Sequence, residues 1–295
     1  MTHSANNATD ARGVLAIDVG NCRVKLGWFP VAQNCPGGKP AAAACLEIAP
    51  PALATPAATF AVRHRDRPTT EWLSEIHRWC DEQIEAPLWR GLIASVHPAA
   101  ADALAGALAR AGNVVRRVAG TDLPLAIEVE RPERVGIDRL LNAVAAHRLV
   151  PQGAAIVVDM GTATTVDLVG VDGTFLGGAI LPGPAVAAAA LHAGTAALPD
   201  LSTTVWDSPP APLGKSTEEA IAAGLYWGAI GAAMELVRRL AATRADVAQA
   251  LITGGAAAAF VAEMNAGALP VRHVPHLTLA GLNAAAEELD ERHAL

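Results

Sequence analysis

From Leu15 to Phe29, in LAIDVGNCRVKLGWF, apolar residues alternate with others on both sides of a glycine turn, the period-2 pattern of a hairpin with a buried face. Between Thr69 and Glu85 the period lengthens. Trp72, Ile76 and Trp79 fall on one side of a predicted helix, which makes the tryptophans core residues. LWRGLIASV then reads as a short buried strand, ADALAGALARAG as a helix closed by a C-terminal glycine, and NVVRRV as a further strand. In RPERVGIDRLLNAVAAH, Gly136 precedes a helix whose Leu140, Leu141 and Val144 face the core. The Pro-, Gly- and Ala-rich stretch from Pro30 to Phe60 predicts edge strands joined by long loops, and no chemistry is placed in it.

The opening pattern then returns. After a connector at Val150 to Gly153, AAIVVDMGTATTVDLVGVDGTFLGGAI gives a strand, a D-x-G turn, a second strand, a DG turn and a third strand. Asp18 and Asp159 stand 141 residues apart, and each ends an apolar strand before a glycine turn. Such a spacing, close to half the chain, predicts a duplicated α/β domain, with halves at 13–150 and 151–295. The remainder reads as a long helix (STEEAIAAGLYWGAIGAAMELVRRLAA), a strand, glycine turn and helix (ALITGGAAAAFVAEM), and a final helix (HLTLAGLNAAAEEL).

Composition narrows the function classes. The 295 residues are 52% hydrophobic and only 17% charged, as in a deeply buried chain. A net charge of -7 without a basic run disfavours a nucleic-acid partner. Cys22, Cys35, Cys45 and Cys80 form neither a C-x-x-C pair nor a zinc pattern, which fits a reducing cytoplasm. The polar N-terminus reads as a loose tail and not a signal peptide. Ala220 to Val237 is barely of membrane-spanning length and rich in Gly and Ala, so it is expected to be a buried helix, with no membrane partner. Gly224, Gly228 and Gly231 on it would allow close helix packing, inside the chain or between subunits.

Paired D-x-G turns suit a polyphosphate, because glycine lets backbone N–H groups approach phosphate oxygens while each Asp can hold a cation. In the first turn Gly20 and Asn21 are candidate donors and Lys25 a point charge for the phosphates; the chain has lysine only there and at Lys39 and Lys215. The second turn offers Asp159 as a cation ligand and Gly161 and Thr162 as phosphate contacts, whereas Thr165 needs no role beyond strand propensity. At Gly254 and Gly255 a strand ends in bare backbone on which a flat ring such as adenine could lie. Asp138 and Arg139 fall in the first turn of a helix, where an acid also answers the helix dipole and the bland reading of an Arg is plain surface; beside a phosphate cleft, Asp138 becomes a candidate base.

Together, DVGNCRVK, GIDR, DMGTATT, GGAILPG, GKSTEEAI and ITGG, in this order over almost the whole chain, resemble the type III pantothenate kinases. The resemblance implies two tandem ribonuclease H-like domains of the actin-like ATPase kind with an interdomain ATP cleft. It implies phosphorylation of pantothenate to 4'-phosphopantothenate, the first step of coenzyme A biosynthesis, by a cytoplasmic homodimer. ATP would meet Asp18, Val19, Gly20, Asn21, Cys22, Arg23, Val24 and Lys25, with Thr162; pantothenate would meet Gly136, Ile137, Asp138, Arg139 and Thr217. Asp138 would be the proton acceptor, Asp159 would hold a monovalent cation (K+ or NH4+), and Mg2+ would accompany ATP. Arg139 has the fork to pair with pantothenate's acid group, directly or through water.

Two positions depart from that family's pattern. Cys22 stands where a Thr or Ser is usual, and Val129 where a tyrosine is frequent. The rivals are a sugar kinase or exopolyphosphatase of the same superfamily, lacking here the cysteine-rich motif or the expected acidic residue, and a regulatory protein that kept the fold. A base and a cation ligand retained together argue against the last.

Overall fold

The computed structural model describes residues 13–31, 53–86, 89–264 and 269–293. Most of the Pro30 to Phe60 stretch, with Cys35 and Cys45, lies outside the described residues. Two α/β units divide the chain: Met1–Leu123 with Thr278–Leu295, and Pro124–Leu277.

In the first unit the alternating segment forms β1 (Gly13–Val19) and β2 (Arg23–Pro30), antiparallel, with Asp18 opposite Lys25. β3 (Ala58–Arg63) adds antiparallel to β2 as an edge strand, and β4 (Arg90–Ser95) and β5 (Val114–Arg117) add parallel on the other side, giving the order β3-β2-β1-β4-β5. β1 is buried along its whole length, as a central strand between helix-covered faces must be. Its core includes Leu15, Ile17 and Leu26 together with Trp72, Ile76 and Trp79 of α1 (Thr69–Gln83) and Leu104 and Leu108 of α2 (Pro98–Arg110). Gly112, at φ +89°, ends α2 as its glycine predicts.

The second unit repeats the scheme. β6 (Ala154–Met160), β7 (Ala163–Val169) and β8 (Phe175–Pro182) are antiparallel neighbours, and β9 (Val247–Thr253) and β10 (Val271–His273) continue parallel from β6. The order β10-β9-β6-β7-β8 is the order of the first sheet read from its other edge, strand for strand. Both D-x-G turns therefore occupy the same place, the hairpin after the central strand. That common strand order is the structural form of the duplication read from Asp18 and Asp159.

Two boundaries differ from the expectation at 150/151. α3 (Ile137–Leu149) packs on β6 and β7, so the helix bearing Asp138 belongs to the second unit, and the VPQG connector is only its turn into β6. α7 (Leu277–His293) returns to the first unit, where Leu279 packs on Gly27. α4 (Pro184–Ala193), α5 (Thr217–Ala241) and α6 (Ala257–Met264) complete the second unit. α5 is not buried all round as expected. Ile221, Tyr226, Ile230, Ala233 and Val237 face the core, where Tyr226 donates to the Ala259 carbonyl at 2.7 Å. A Cβ at Gly224, Gly228 or Gly231 would touch nothing. By length and composition α5 is the one helix among the described residues that could cross a bilayer.

Candidate active site

The first turn is held from behind. Gly20 donates its N–H to the Arg23 carbonyl at 3.0 Å, closing the hairpin. Its own carbonyl accepts from Nε2 of His64 at 2.9 Å, and the Cys22 carbonyl accepts the backbone N–H groups of His64 and Arg65 at 3.1 and 3.4 Å. Carbonyl oxygens repel a phosphate. With two of them turned to the segment after β3, the turn presents glycine backbone and the exposed Asn21 and Arg23 to an anion. Behind it, Asp18 is buried and pairs with Lys25 across the hairpin at 3.6 Å, while Lys25 stays partly exposed. The side chains of Val19 and Val24 are buried in the core, so those two residues can meet a ligand only through their backbone.

His64 and Arg65 carry no sequence signal as members of this turn. Nη1 of Arg65 lies 3.7 Å from the sulfur of Cys22, so a guanidinium stands beside the position where a hydroxyl is usual. His64 packs edge-on against His97 at 5.0 Å between ring centroids.

In the second unit the structure brings separate motifs together. Asp159, on β6, lies opposite Thr165 on β7 and Thr253 on β9. Gly254 follows at φ +101°, a left-handed conformation, and a Cβ there would fall 2.5 Å from both Asp159 Oδ1 and the Met160 carbonyl. Only glycine fits. At Gly255 a Cβ would meet nothing within 4 Å, which leaves open backbone as the ITGG motif suggests. Thr162 is exposed at the hairpin tip, and its carbonyl accepts from Gly183 N–H at 3.0 Å, tying the end of β8 to the turn.

α3 brings in the third motif. Gly136 caps the helix, Asp138 lies half-buried in its first turn, and Asp138 Oδ1 accepts the Arg139 backbone N–H at 2.9 Å. The carboxylate thus answers the helix dipole, which does not preclude a second role. One turn on, Asn142 donates to Asp159 Oδ2 at 2.9 Å, fastening the helix of Asp138 to the second D-x-G turn. Ile137 is buried, so it too can offer a ligand only its backbone.

The fork of Arg139 meets a carboxylate of the chain itself. Its Nε and Nη2 engage Asp167 on β7, and the guanidinium lies 5.2 Å from the Phe175 ring centroid. The expected direct pairing with a substrate acid is therefore not available along that edge. Burial pushes the Asp167 carboxyl above the usual carboxylate range, and Arg139 pulls it back.

Thr217 stands apart. It is the first residue of α5, behind Ser216, whose hydroxyl accepts the Glu219 N–H at 3.1 Å while Glu219 accepts the Lys215 N–H at 2.7 Å, a capping arrangement. Thr217 borders an open groove of about 430 Å³ with Leu191, Leu198, Ile221 and Leu225. A larger groove of about 760 Å³ in the first unit, along α1, holds none of the expected site residues; its Arg67 and Glu75 pair with each other at 2.6 Å.

For a cation, the second turn offers one carboxylate. Among the described residues no three His, Cys, Asp or Glu side chains gather. Asp159 with surrounding backbone fits a weakly held monovalent ion better than a caged divalent metal, and Mg2+ is commonly carried by the substrate phosphates.

The family model described as type III pantothenate kinase matches residues 14–239. The chain belongs to this family. Its relatives include the type III pantothenate kinase of Parafrankia sp. (strain EAN1pec), 34% identical over 281 residues that span 94% of this chain and 99% of the relative. The type III pantothenate kinase of Frankia alni is 38% identical over 225 residues, 72% of this chain and 86% of the relative. Among solved structures, the ethanolamine utilization protein EutJ from Carboxydothermus hydrogenoformans superposes with a TM-score of 0.50 at 14% identity, over 92% of this chain and 88% of its own. That likeness bears on the fold alone. Val129 packs over Gly177, where a Cβ would come within 3.4 Å of it.

Proposed function

We propose that the chain is an ATP-dependent kinase that phosphorylates pantothenate at its terminal hydroxyl, opening coenzyme A biosynthesis. The observation that carries the reading is the bond from Asn142 to Asp159, which sets the helix of Asp138 beside the second phosphate turn in a chain of this family. Asp138 orients the hydroxyl and accepts its proton as the oxygen bonds to the γ-phosphorus; the bond from that phosphorus to the β–γ bridging oxygen breaks, and ADP leaves. The transition state is loose, so alignment and charge neutralisation supply most of the acceleration.

ATP is held by the first turn, from Asp18 to Lys25, and by Thr162, Gly254 and Gly255. Asp159 is the residue that would hold K+ or NH4+, an ion that offsets phosphate charge when bound. Gly136, Asp138 and Arg139 receive pantothenate, with Thr217 as a further contact. Asp167 occupies one edge of Arg139, so a pantothenate carboxylate meets the other edge or a bridging water. The open glycine face of α5 suits a homodimer, and the chain acts in the cytoplasm.

ADP release coupled to NADH oxidation, with pantothenate present or withheld and with K+ exchanged for Na+, tests the reading. Pantothenate-dependent turnover, lost by at least 100-fold in Asp138→Asn, is expected. No turnover by the wild type, or equal turnover by Asp138→Asn, overturns it.

A further inference from the structure

We propose that Asp167 is a positioning residue of the pantothenate site, fixing the Arg139 guanidinium and, through it, the first turn of α3 that carries Asp138. This rests on the kinase reading above and adds to it a residue in β7 that neither turn motif nor G-x-D-R motif contains. Asp167 is 1% exposed, in the middle of a strand where an apolar residue would be the inexpensive choice. The fold makes room for it. Gly178 lies opposite on β8, where a Cβ would stand 2.2 Å from the Val166 carbonyl oxygen and 2.4 Å from Asp167 Oδ1, so position 178 sets no side chain against the carboxylate.

The carboxylate takes Nε and Nη2 of Arg139 in a two-point grip, which fixes the plane of the guanidinium as a single contact does not. Phe175 closes one face of that plane. Nη1 is the guanidinium nitrogen outside that two-point grip. Arg139 is adjacent to Asp138, whose Oδ1 accepts the Arg139 N–H, so locking the arginine also limits the base. A charge buried at such cost for stability alone would be replaceable by an apolar pair. Orientation of a binding group accounts for an ion pair here in place of an apolar one.

The test is steady-state kinetics of the full chain for wild type, Asp167→Asn and Asp167→Glu, with each substrate varied in turn and thermal denaturation recorded in parallel. Asp167→Asn keeps the size and removes the charge-assisted grip; the expected result is a pantothenate KM raised about tenfold or more, with the ATP KM within about twofold of wild type. Asp167→Glu keeps the charge but displaces it by a methylene, and is expected to move the same KM in the same direction; it serves where Asp167→Asn does not fold. A lower melting temperature with both KM values unchanged, or both KM values raised together, overturns the positioning role. Absence of pantothenate turnover in the wild type would instead overturn the kinase reading, so the two failures are distinguishable.

Discussion

Arg139→Ala gives a stability test that needs no substrate. The Asp167 side chain is 2% exposed and the Arg139 side chain 14%, so truncating the arginine leaves a carboxylate buried without its two-point partner. Breaking one side of a buried ion pair costs about 3–5 kcal/mol. For a folding unit near 150 residues, at about 2–4 °C per kcal/mol, the melting temperature should fall by roughly 6–20 °C. Arg139→Ala with Asp167→Asn removes the uncompensated charge as well, and should recover a substantial part of the loss.

The pH dependence has a definite sign. Burial already raises the Asp167 carboxyl above its ordinary range, and Arg139 opposes the rise; without Arg139 it goes higher. Between the unfolded value and that raised one, the folded single variant binds a proton that the unfolded chain does not, so its stability falls as pH rises through the window. Its deficit against wild type should therefore be smaller at pH 5 than at pH 8, and the double variant should show much less of this dependence. Calorimetry of the wild type and the two variants at both pH values reads this directly. A single variant melting within about 2 °C of wild type, or a double variant less stable than the single, refutes the reasoning.

Other outcomes follow from local geometry. Gly254→Ala forces a Cβ onto Asp159 and into a left-handed backbone conformation, so it should cost about 1–3 kcal/mol and weaken ATP binding measured by calorimetric titration. Gly255→Ala, facing open space, should leave stability unchanged, and equal effects of the two would argue against a cradle at Gly254. The Cys80 thiol is pushed up to about 12 by burial, so iodoacetamide at pH 8 should spare it in the folded protein and modify the less buried Cys22, with peptide mass spectrometry as the readout. ATP should slow modification of Cys22 if the first turn holds the nucleotide, and an unchanged rate would place ATP elsewhere.

The fold was legible where it rests on period. The alternation around Asp18 and its return around Asp159 announced two hairpins, and hairpins after central strands are what the two sheets share. Tryptophans at helical spacing announced α1. Period fails for α4, whose run of alanines is apolar on every side, and for β10, whose three residues are too few to show an alternation. It also misplaced the boundary between the units, because composition marks turns whereas units are defined by packing: VPQG is the sharper break in sequence, yet α3 before it lies on β6 and β7 after it.

The site divides along the same line. Groups presented by turns, such as Asp18, Gly20, Asp159 and Gly254, declare themselves because a turn requires glycine nearby. Asp167, Asn142 and His64 do not, because each looks ordinary in its own segment and gains meaning only from a partner 28, 17 or 44 residues away. The first turn shows what this omission costs. From sequence, Cys22 reads as a missing hydroxyl at a turn left to its backbone N–H groups. In the structure the same residue surrenders its carbonyl to the His64 and Arg65 amides and sets its sulfur beside the Arg65 guanidinium. The Gly20 and Cys22 carbonyls are taken up by the segment after β3, and the Arg65 guanidinium stands beside the sulfur, so what position 22 can offer a ligand is set by that segment as well as by the turn itself.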